Sequence, residues 1–143
     1  MIFSAQQIFS DDQAITATAV STNVIDLGVA GTPYDAVAPL HQDIGKGNKV
    51  PVLIQVTEDF NNATSVEVAI ETGTTTALGT VVLSETILLA DLIAGKQTCF
   101  EVLPNCLTER YLGVRYTVAG TAPSTGTFTA GITMGNQTNI TGA

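Results

Sequence analysis

Few side chains in this sequence of 143 residues could carry out acid–base or nucleophilic chemistry. His41 is the only histidine, so it is the only ordinary base that could activate a hydroxyl or thiol nucleophile. It lies in a proline-flanked loop, where a solvated or hydrogen-bonded histidine is the default. Glycoside hydrolysis would need a pair of acids, and the candidate acids are better explained as solvated side chains: Glu67 and Glu71 facing outward on one strand, and Asp11, Asp12, Glu58 and Asp59 at strand ends and turns. The sequence therefore predicts no catalytic site, and we expect that the protein is not an enzyme.

Metal and phosphate sites have equally little support. Cupin-type metal sites need two or three histidines, and Cys99 and Cys106 lack the spacing of zinc ligands. Gly45-Lys46-Gly47 lacks the remaining residues of a phosphate-binding loop, so its glycines are interpreted as turn residues. We expect no metal and no cofactor.

The sequence leaves open whether the two cysteines form a disulfide. Residues Met1 to Asp12 have neither the cationic nor the apolar region of a signal peptide. Two cysteines in a chain without a leader more often stay reduced, so we expect thiols and synthesis in a cytoplasm.

The charge balance limits the possible partners. The formal net charge is −8 and the pI is about 4.2. Nucleic-acid binding needs several cations on one face. The five basic residues of this chain are instead scattered along the sequence: Lys46, Lys49, Lys96, Arg110 and Arg115. No run of about 18 apolar residues exists that could cross a membrane as a helix. We expect neither a nucleic-acid nor a membrane partner.

The elements that must position any site are β-strands, and the clearest runs from Glu109 to Gly120. Alternate residues face opposite sides of a strand. One side here carries Leu112, Val114, Tyr116 and Val118, and the other carries Tyr111, Gly113, Arg115 and Thr117. A second alternating run follows, with Phe128, Ala130, Ile132 and Met134 on one face. We predict that these two strands form an antiparallel pair in the core.

Further strands are predicted at short spacing, with turn residues between them. They cover residues 13–27 with a break at 21–23, 52–57, 65–72, 80–90 and 98–103. Glu85 interrupts the apolar face of its strand, which predicts a bulge or a break there. One helical turn is predicted between Ala90 and Gly95. About eight strands and no long helical period indicate an all-β fold, with a jelly-roll sandwich over residues 13–143 as the leading architecture.

Two segments fall outside the strand pattern. Residues 1–12 are predicted to form an N-terminal arm with apolar Ile2, Phe3, Ile8 and Phe9, and with a possible helical turn at residues 5–9. These apolar side chains either cover the domain's own core or dock on a neighbouring subunit. Residues 32–50 form the longest irregular stretch, and loops of this length are usually functional or disordered.

Arg115 and Tyr111 share the outward face of the strand at 109–120. Arg115 could stack on Tyr111 or form a surface ion pair with an outward glutamate. A subunit interface, where Arg and Tyr are enriched, is the alternative that we favour.

Three segments in order resemble a known family. They are Ala14 to Gly28, then Asp43 to Gly47 leading into the strand from Val50, and finally Ala94-Gly95, Leu103-Pro104 and Glu109 to Gly120. Together they resemble the capsid cement, or decoration, proteins of tailed bacteriophages, of the kind first described for a Bordetella podovirus. Residues 33–42 and the two cysteines depart from the pattern of that family.

The resemblance implies a jelly-roll protein on the outer surface of an icosahedral shell, bound to the major capsid protein and associated with itself as a homodimer. Residues 1–12 and 32–50 would make the capsid contacts. The predicted interface residues are Ile2, Phe3, Ile8, Phe9, Tyr34, His41, Lys46, Tyr111 and Arg115. The alternative functions are a carbohydrate-binding module and a tail or baseplate structural module of a virion.

Overall fold

A computed structural model describes residues 3–32, 34–35, 37, 49–102, 107 and 109–133 of the chain. Nine strands lie within these residues: β1 (Phe3–Ala14), β2 (Ala19–Val20), β3 (Ile25–Asp26), β4 (Val50–Glu58), β5 (Ala63–Gly73), β6 (Thr80–Leu88), β7 (Gln97–Val102), β8 (Tyr111–Gly120) and β9 (Thr127–Thr133). A 3-10 turn, Leu89–Asp91, follows β6. It lies close to the helical turn predicted for residues 90–95, but it begins one residue earlier and is shorter.

The strands form two antiparallel sheets. Sheet A has the order β1-β9-β4-β7, and sheet B has the order β2-β8-β5-β6, with β3 also paired to β8. When β2 and β3 are taken as two pieces of one strand, the first strand pairs with the last, the second with the second-last, and so on inward to the β5–β6 hairpin. This nested pairing, wound into two facing sheets, is a jelly roll, so the predicted fold class is confirmed.

The core lies between the sheets, and in β4, β5 and β8 its residues follow the period of two of a strand. From sheet A it takes Val52, Ile54 and Val56, and from sheet B it takes Val66, Val68, Ile70, Leu112, Val114 and Tyr116. Burial of each aliphatic side chain contributes about 1.5–3 kcal/mol. Phe128 stacks on the Tyr116 ring with centroids 4.9 Å apart and also contacts Phe60 at 4.9 Å. The two sheets are therefore joined by aromatic as well as aliphatic packing.

The Tyr116 hydroxyl is satisfied inside this core. It donates a hydrogen bond of 2.9 Å to Ser10 Oγ, which in turn donates to Gln13 Oε1 at 2.7 Å. Burial raises the pKa of Tyr116 well above its ordinary value, and the Ser10 hydrogen bond opposes this only in part. The phenol is thus a neutral structural group that ties β8 to β1.

The predicted pairing of the two C-terminal strands is wrong. β8 pairs with β5, while β9 pairs with β1 and β4 in the other sheet. The link between them begins after Gly120 (φ +85°) and ends at Gly126 (φ +124°), and it crosses from one sheet to the other. Two amphipathic strands bury their apolar faces equally well side by side or across a sandwich, so alternation alone could not distinguish the two arrangements.

The N-terminal segment is also different from the prediction. Residues Phe3–Ala14 form β1, an edge strand of sheet A, and not an arm with a helical turn at residues 5–9. The register against β9 shifts three times, which explains why the sequence shows no clean alternation. Phe9 is fully buried in the core. For this side chain, the interpretation that it covers the domain's own core is the one that the structure supports.

The irregularity predicted at Glu85 lies elsewhere in β6. The register against β5 shifts between Leu83 and Val81, so the bulge is at Val82. Glu85 sits directly opposite Val68, which is fully buried. Since opposite residues share a face, Glu85 is on the core-facing side of the sheet, although its side chain is exposed.

Candidate protein-binding surface

The predicted interface residues are not gathered in one place. Phe3 and Ile8 lie half-buried on β1 of sheet A, while Tyr111 and Arg115 lie on β8 of sheet B. Tyr34 is fully exposed in the loop after β3. Ile2, His41 and Lys46 lie outside the described residues, as does Cys106, so the predictions made for them remain predictions.

Phe3 packs against its own sheet. A Cβ on Gly131 of β9 would lie 2.9 Å from Cδ1 of the Phe3 ring and 3.2 Å from the Gln7 carbonyl oxygen. Only glycine lets β1 pass this close to β9. Much of the apolar surface that the sequence places in the predicted arm is therefore used inside the domain.

Arg115 already has an intramolecular partner. Its Nε lies 2.9 and 2.8 Å from the two carboxylate oxygens of Glu71, and its Nη2 donates to the Ala77 carbonyl oxygen at 2.7 Å. The predicted ion pair with an outward glutamate is thus present. The predicted stacking on Tyr111 is instead made by Arg110, whose guanidinium carbon lies 4.9 Å from the centre of the Tyr111 ring.

Glu71 faces outward as predicted, but it is not solvated. Its exposed fraction is only 4%. The β5–β6 connection, residues 74–79, folds back over the outer face of sheet B. There Leu78 lies so close to Gly113 that a Cβ on that glycine would be 2.8 Å from Leu78 Cδ1. The alternation of side chains correctly predicts that Glu71 points outward, whereas residues 74–79 shield it from water.

A second ion pair fixes the base of the loop that follows β3. The Asp26 carboxylate accepts hydrogen bonds from Arg110 Nε at 2.7 Å, from Arg110 Nη2 at 2.6 Å and from the Gly28 N–H at 2.8 Å. The Leu27 N–H also donates to the Arg110 carbonyl oxygen at 2.8 Å. The Arg110 hydrogen bonds, and after them the Gly28 N–H, lower the pKa of Asp26 from 3.8 to about 2. We call this group the Asp26–Arg110 clamp.

Apolar side chains project from the loop beyond this clamp. Val29 is 75% exposed, Tyr34 103% and Val37 105%. We call the described residues between Gly28 and Val37 the projecting loop. Sequence reasoning identified Tyr34 but missed Val29, Val37, Asp26 and Arg110. The available signal was the run of small and apolar residues interrupted by Gly31 and Pro33, which neither alternates as a strand nor resembles a polar turn.

Two features were searched for in the described residues, a metal-binding group and a membrane-spanning helix. No three histidine, cysteine or acidic side chains come together there in a group that could hold a metal ion. In the same part of the chain, no helix is long and apolar enough to span a bilayer.

Comparison with models of protein families gives a match over most of the chain. The model of the Bbp16 family, a family of Bordetella phage proteins, matches residues 9–132. A search of curated proteins gives no match. Among solved structures, the phage PBSX exported protein XepA aligns with 16% identity and a TM-score of 0.44, over 96% of this chain and 39% of XepA. The chain spans about two fifths of the length of XepA, and a likeness at this level carries no argument about function.

Proposed function

The chain belongs to the Bbp16 family, and on that premise we propose that it is a structural cement protein of a tailed-phage virion. It binds the outer surface of the icosahedral shell and stabilises the contacts between major capsid protein subunits. The match to a phage protein family over residues 9–132 is the observation that carries this proposal.

The physical properties of the chain suit such a role. A jelly roll closed by aromatic stacking between its sheets is a stiff body that can transmit force between neighbouring subunits. The net charge of −8 keeps the protein soluble before assembly. Many weak contacts on one lattice add up through effective concentration, so no single contact has to be strong. Self-association as a homodimer doubles the number of contacts for each binding event.

Shell binding is the test. Shells assembled from the phage's major capsid protein alone are mixed with the purified chain and sedimented, and bound protein is measured against the number of shells. We expect saturable binding at a fixed ratio to the capsid subunits, and a higher temperature of shell disruption when the chain is bound. The absence of saturable binding to intact, mature shells would refute the proposal.

The fully exposed Tyr34 supports one other candidate, a carbohydrate-binding module on the virion. Exposed aromatic rings are the usual platforms for sugar stacking. This function predicts binding on a glycan array that Tyr34→Ala abolishes. Binding to glycans without binding to shells would favour it over the cement function.

A further inference from the structure

Residues 74–79, which connect β5 to β6, lie outside the ladders of sheet B. At this end of β5 the last pairs are Thr72 with Thr80 of β6 and Gly73 with Tyr111 of β8. The connection folds back over the outer face of the sheet, and we call it the strap. Because none of these ladder pairs includes the strap, it can move without breaking the pairing of the strands.

Among the described residues, two contacts join the strap to β8. The Leu78 side chain packs over Gly113, where an added Cβ would lie 2.8 Å from Leu78 Cδ1. Arg115 Nη2 donates a hydrogen bond of 2.7 Å to the Ala77 carbonyl oxygen. Leu78 is only half-buried, and the other strap residues are exposed. With so little buried surface, the free energy that keeps the strap closed is a small part of the stability of the whole domain.

The closed position of the strap also has two unfavourable features. It leaves the Glu71 carboxylate only 4% exposed, and the burial of an ion pair has a desolvation cost even when the partner is present. Leu78 has a φ of +59°, a left-handed conformation that is unfavourable for a residue with a side chain. Opening returns the Glu71–Arg115 pair to water and releases Leu78 from this conformation. Both changes offset part of the contact energy that opening loses.

We propose that the strap opens and closes as a unit about Gly73 and Gly79, at its two ends, while both sheets stay folded. The Arg115 guanidinium is its latch, since it binds Glu71 beneath the strap and Ala77 within it. Opening uncovers the Glu71–Arg115 pair on the outer face of sheet B. This inference goes beyond the proposed function and does not depend on it.

The 3-10 turn after β6 provides a matched control. The Leu78 N–H donates to the Thr75 carbonyl oxygen, and the Leu92 N–H donates to the Leu89 carbonyl oxygen, both at 3.1 Å. Leu92, however, is fully buried in the core, and its own carbonyl oxygen accepts a hydrogen bond from the Phe60 N–H. The inference therefore predicts that two turn hydrogen bonds of equal length are broken by different motions.

Hydrogen exchange of the purified chain, followed by NMR at increasing urea concentrations below the unfolding transition, distinguishes these motions. We expect the Leu78 amide and the Arg115 Nε–H to exchange through an opening that does not depend on urea and is at least about a hundredfold more frequent than that of the Leu92 amide. The Leu92 amide should exchange through global unfolding, with the full dependence on urea.

Two variants test the separation further. Val52→Ala removes buried volume from sheet A, so exchange at Leu92 should become at least about tenfold faster. Exchange at Leu78 should stay unchanged in this variant, because the core is intact when the strap is open. Arg115→Met removes the latch and leaves the Glu71 charge beneath the strap, where opening hydrates it. Exchange at Leu78 should then become at least about tenfold faster.

Each outcome decides the inference. If Val52→Ala speeds exchange at Leu78 and Leu92 by the same factor, the strap opens only when the domain unfolds, and the inference is wrong. An Arg115 Nε–H that exchanges with the urea dependence of Leu92 would show that the strap does not uncover the ion pair, which also overturns it. Unchanged exchange at Leu78 in Arg115→Met would refute the role of Arg115 as the latch. A failure of shell binding, by contrast, bears on the proposed function alone.

Discussion

Among the single residues, Asp26 makes the stability of the fold depend on pH. Its pKa is about 2 in the folded protein, below the ordinary 3.8, because the carboxylate accepts hydrogen bonds from Arg110 and Gly28. A lowered acid pKa stabilises the fold above the ordinary value, and the stabilisation is lost as the pH falls towards the folded pKa. The contribution of Asp26 should therefore disappear between about pH 4 and pH 2.

This predicts a pH-dependent effect of Asp26→Asn. The variant should melt below the wild type at about pH 6, and the difference should shrink as the pH falls from about 4 to 2. Thermal melts followed by circular dichroism across this range measure it. In an Arg110→Gln background, Asp26→Asn should have a much smaller effect, because the main cause of the shift is gone. A melting difference that stays constant down to pH 2 would contradict this account.

Glu71 and Arg115 carry a different prediction, because Glu71 is buried beneath residues 74–79. Arg115→Met leaves the Glu71 carboxylate at 4% exposure without its cation. Removal of one partner of a buried pair costs about 3–5 kcal/mol, and we expect about 2–3 kcal/mol because the Arg115 side chain keeps partial access to water. The free energy of unfolding in urea measures the loss.

A second substitution provides the control for this pair. Adding Glu71→Gln to Arg115→Met should restore part of the lost stability, because the buried charge is then removed as well. If the double variant is less stable than Arg115→Met, the buried charge is not the cause of the loss.

At the scale of elements, β1 decides what an N-terminal deletion does. A free arm could be removed without damage to the fold. Residues Phe3–Ala14 instead form the edge of sheet A, and they supply Phe9 to the core and Ser10 to the buried Tyr116 hydroxyl. Deletion of residues 1–12 should therefore destabilise the domain itself.

The size of this effect follows from the core contacts. Phe9→Ala alone should cost about 3–5 kcal/mol, and the deletion should cost at least as much, as measured by urea unfolding. Ser4→Ala is a suitable control because Ser4 is exposed on the same strand and should leave stability unchanged. A deletion variant with the melting temperature of the full chain would show that β1 is dispensable.

At the scale of the whole molecule, the free edge of sheet B bears on how copies associate. Among the strands that the structure describes, β6 pairs only with β5, and it exposes Val81 and Leu88. Such an edge is a template for pairing with another chain, unless a bulge or an inward-pointing charge prevents it. β6 has both, the bulge at Val82 and Glu85 on the core-facing side.

This predicts that Glu85→Val promotes association through β6. An incoming strand would no longer bury a charge between the two sheets, so the variant should form larger species than the wild type at the same concentration, as seen by size exclusion with light scattering. Thr86→Val, also exposed on β6 but on the outer face, is the control and should behave like the wild type. If both variants keep the wild-type mass, Glu85 does not prevent association through β6.

The class of fold could be predicted from the amino-acid pattern alone. Alternation at period two in β4, β5, β8 and β9 depends only on side-chain polarity and strand geometry, so it is the same whichever strands they pair with. The buried sets of those strands follow for the same reason. Tyr34 was also identifiable as an exposed loop aromatic, because it lies among turn residues.

Strand pairing, the solvent exposure of each side chain and the partners of the ion pairs depend instead on the three-dimensional packing of the chain. β8 and β9 lie in different sheets. Alternation could not show this, because side-by-side pairing would bury the same residues. Glu71 is shielded from water because residues 74–79 cover its ion pair with Arg115. Those residues are distant from Arg115 in the sequence. The Asp26–Arg110 clamp joins residues far apart in the chain, and a contact of that range leaves no local pattern to read. Local periodicity encodes the direction of each side chain, whereas long-range pairing depends on the packing of the whole chain.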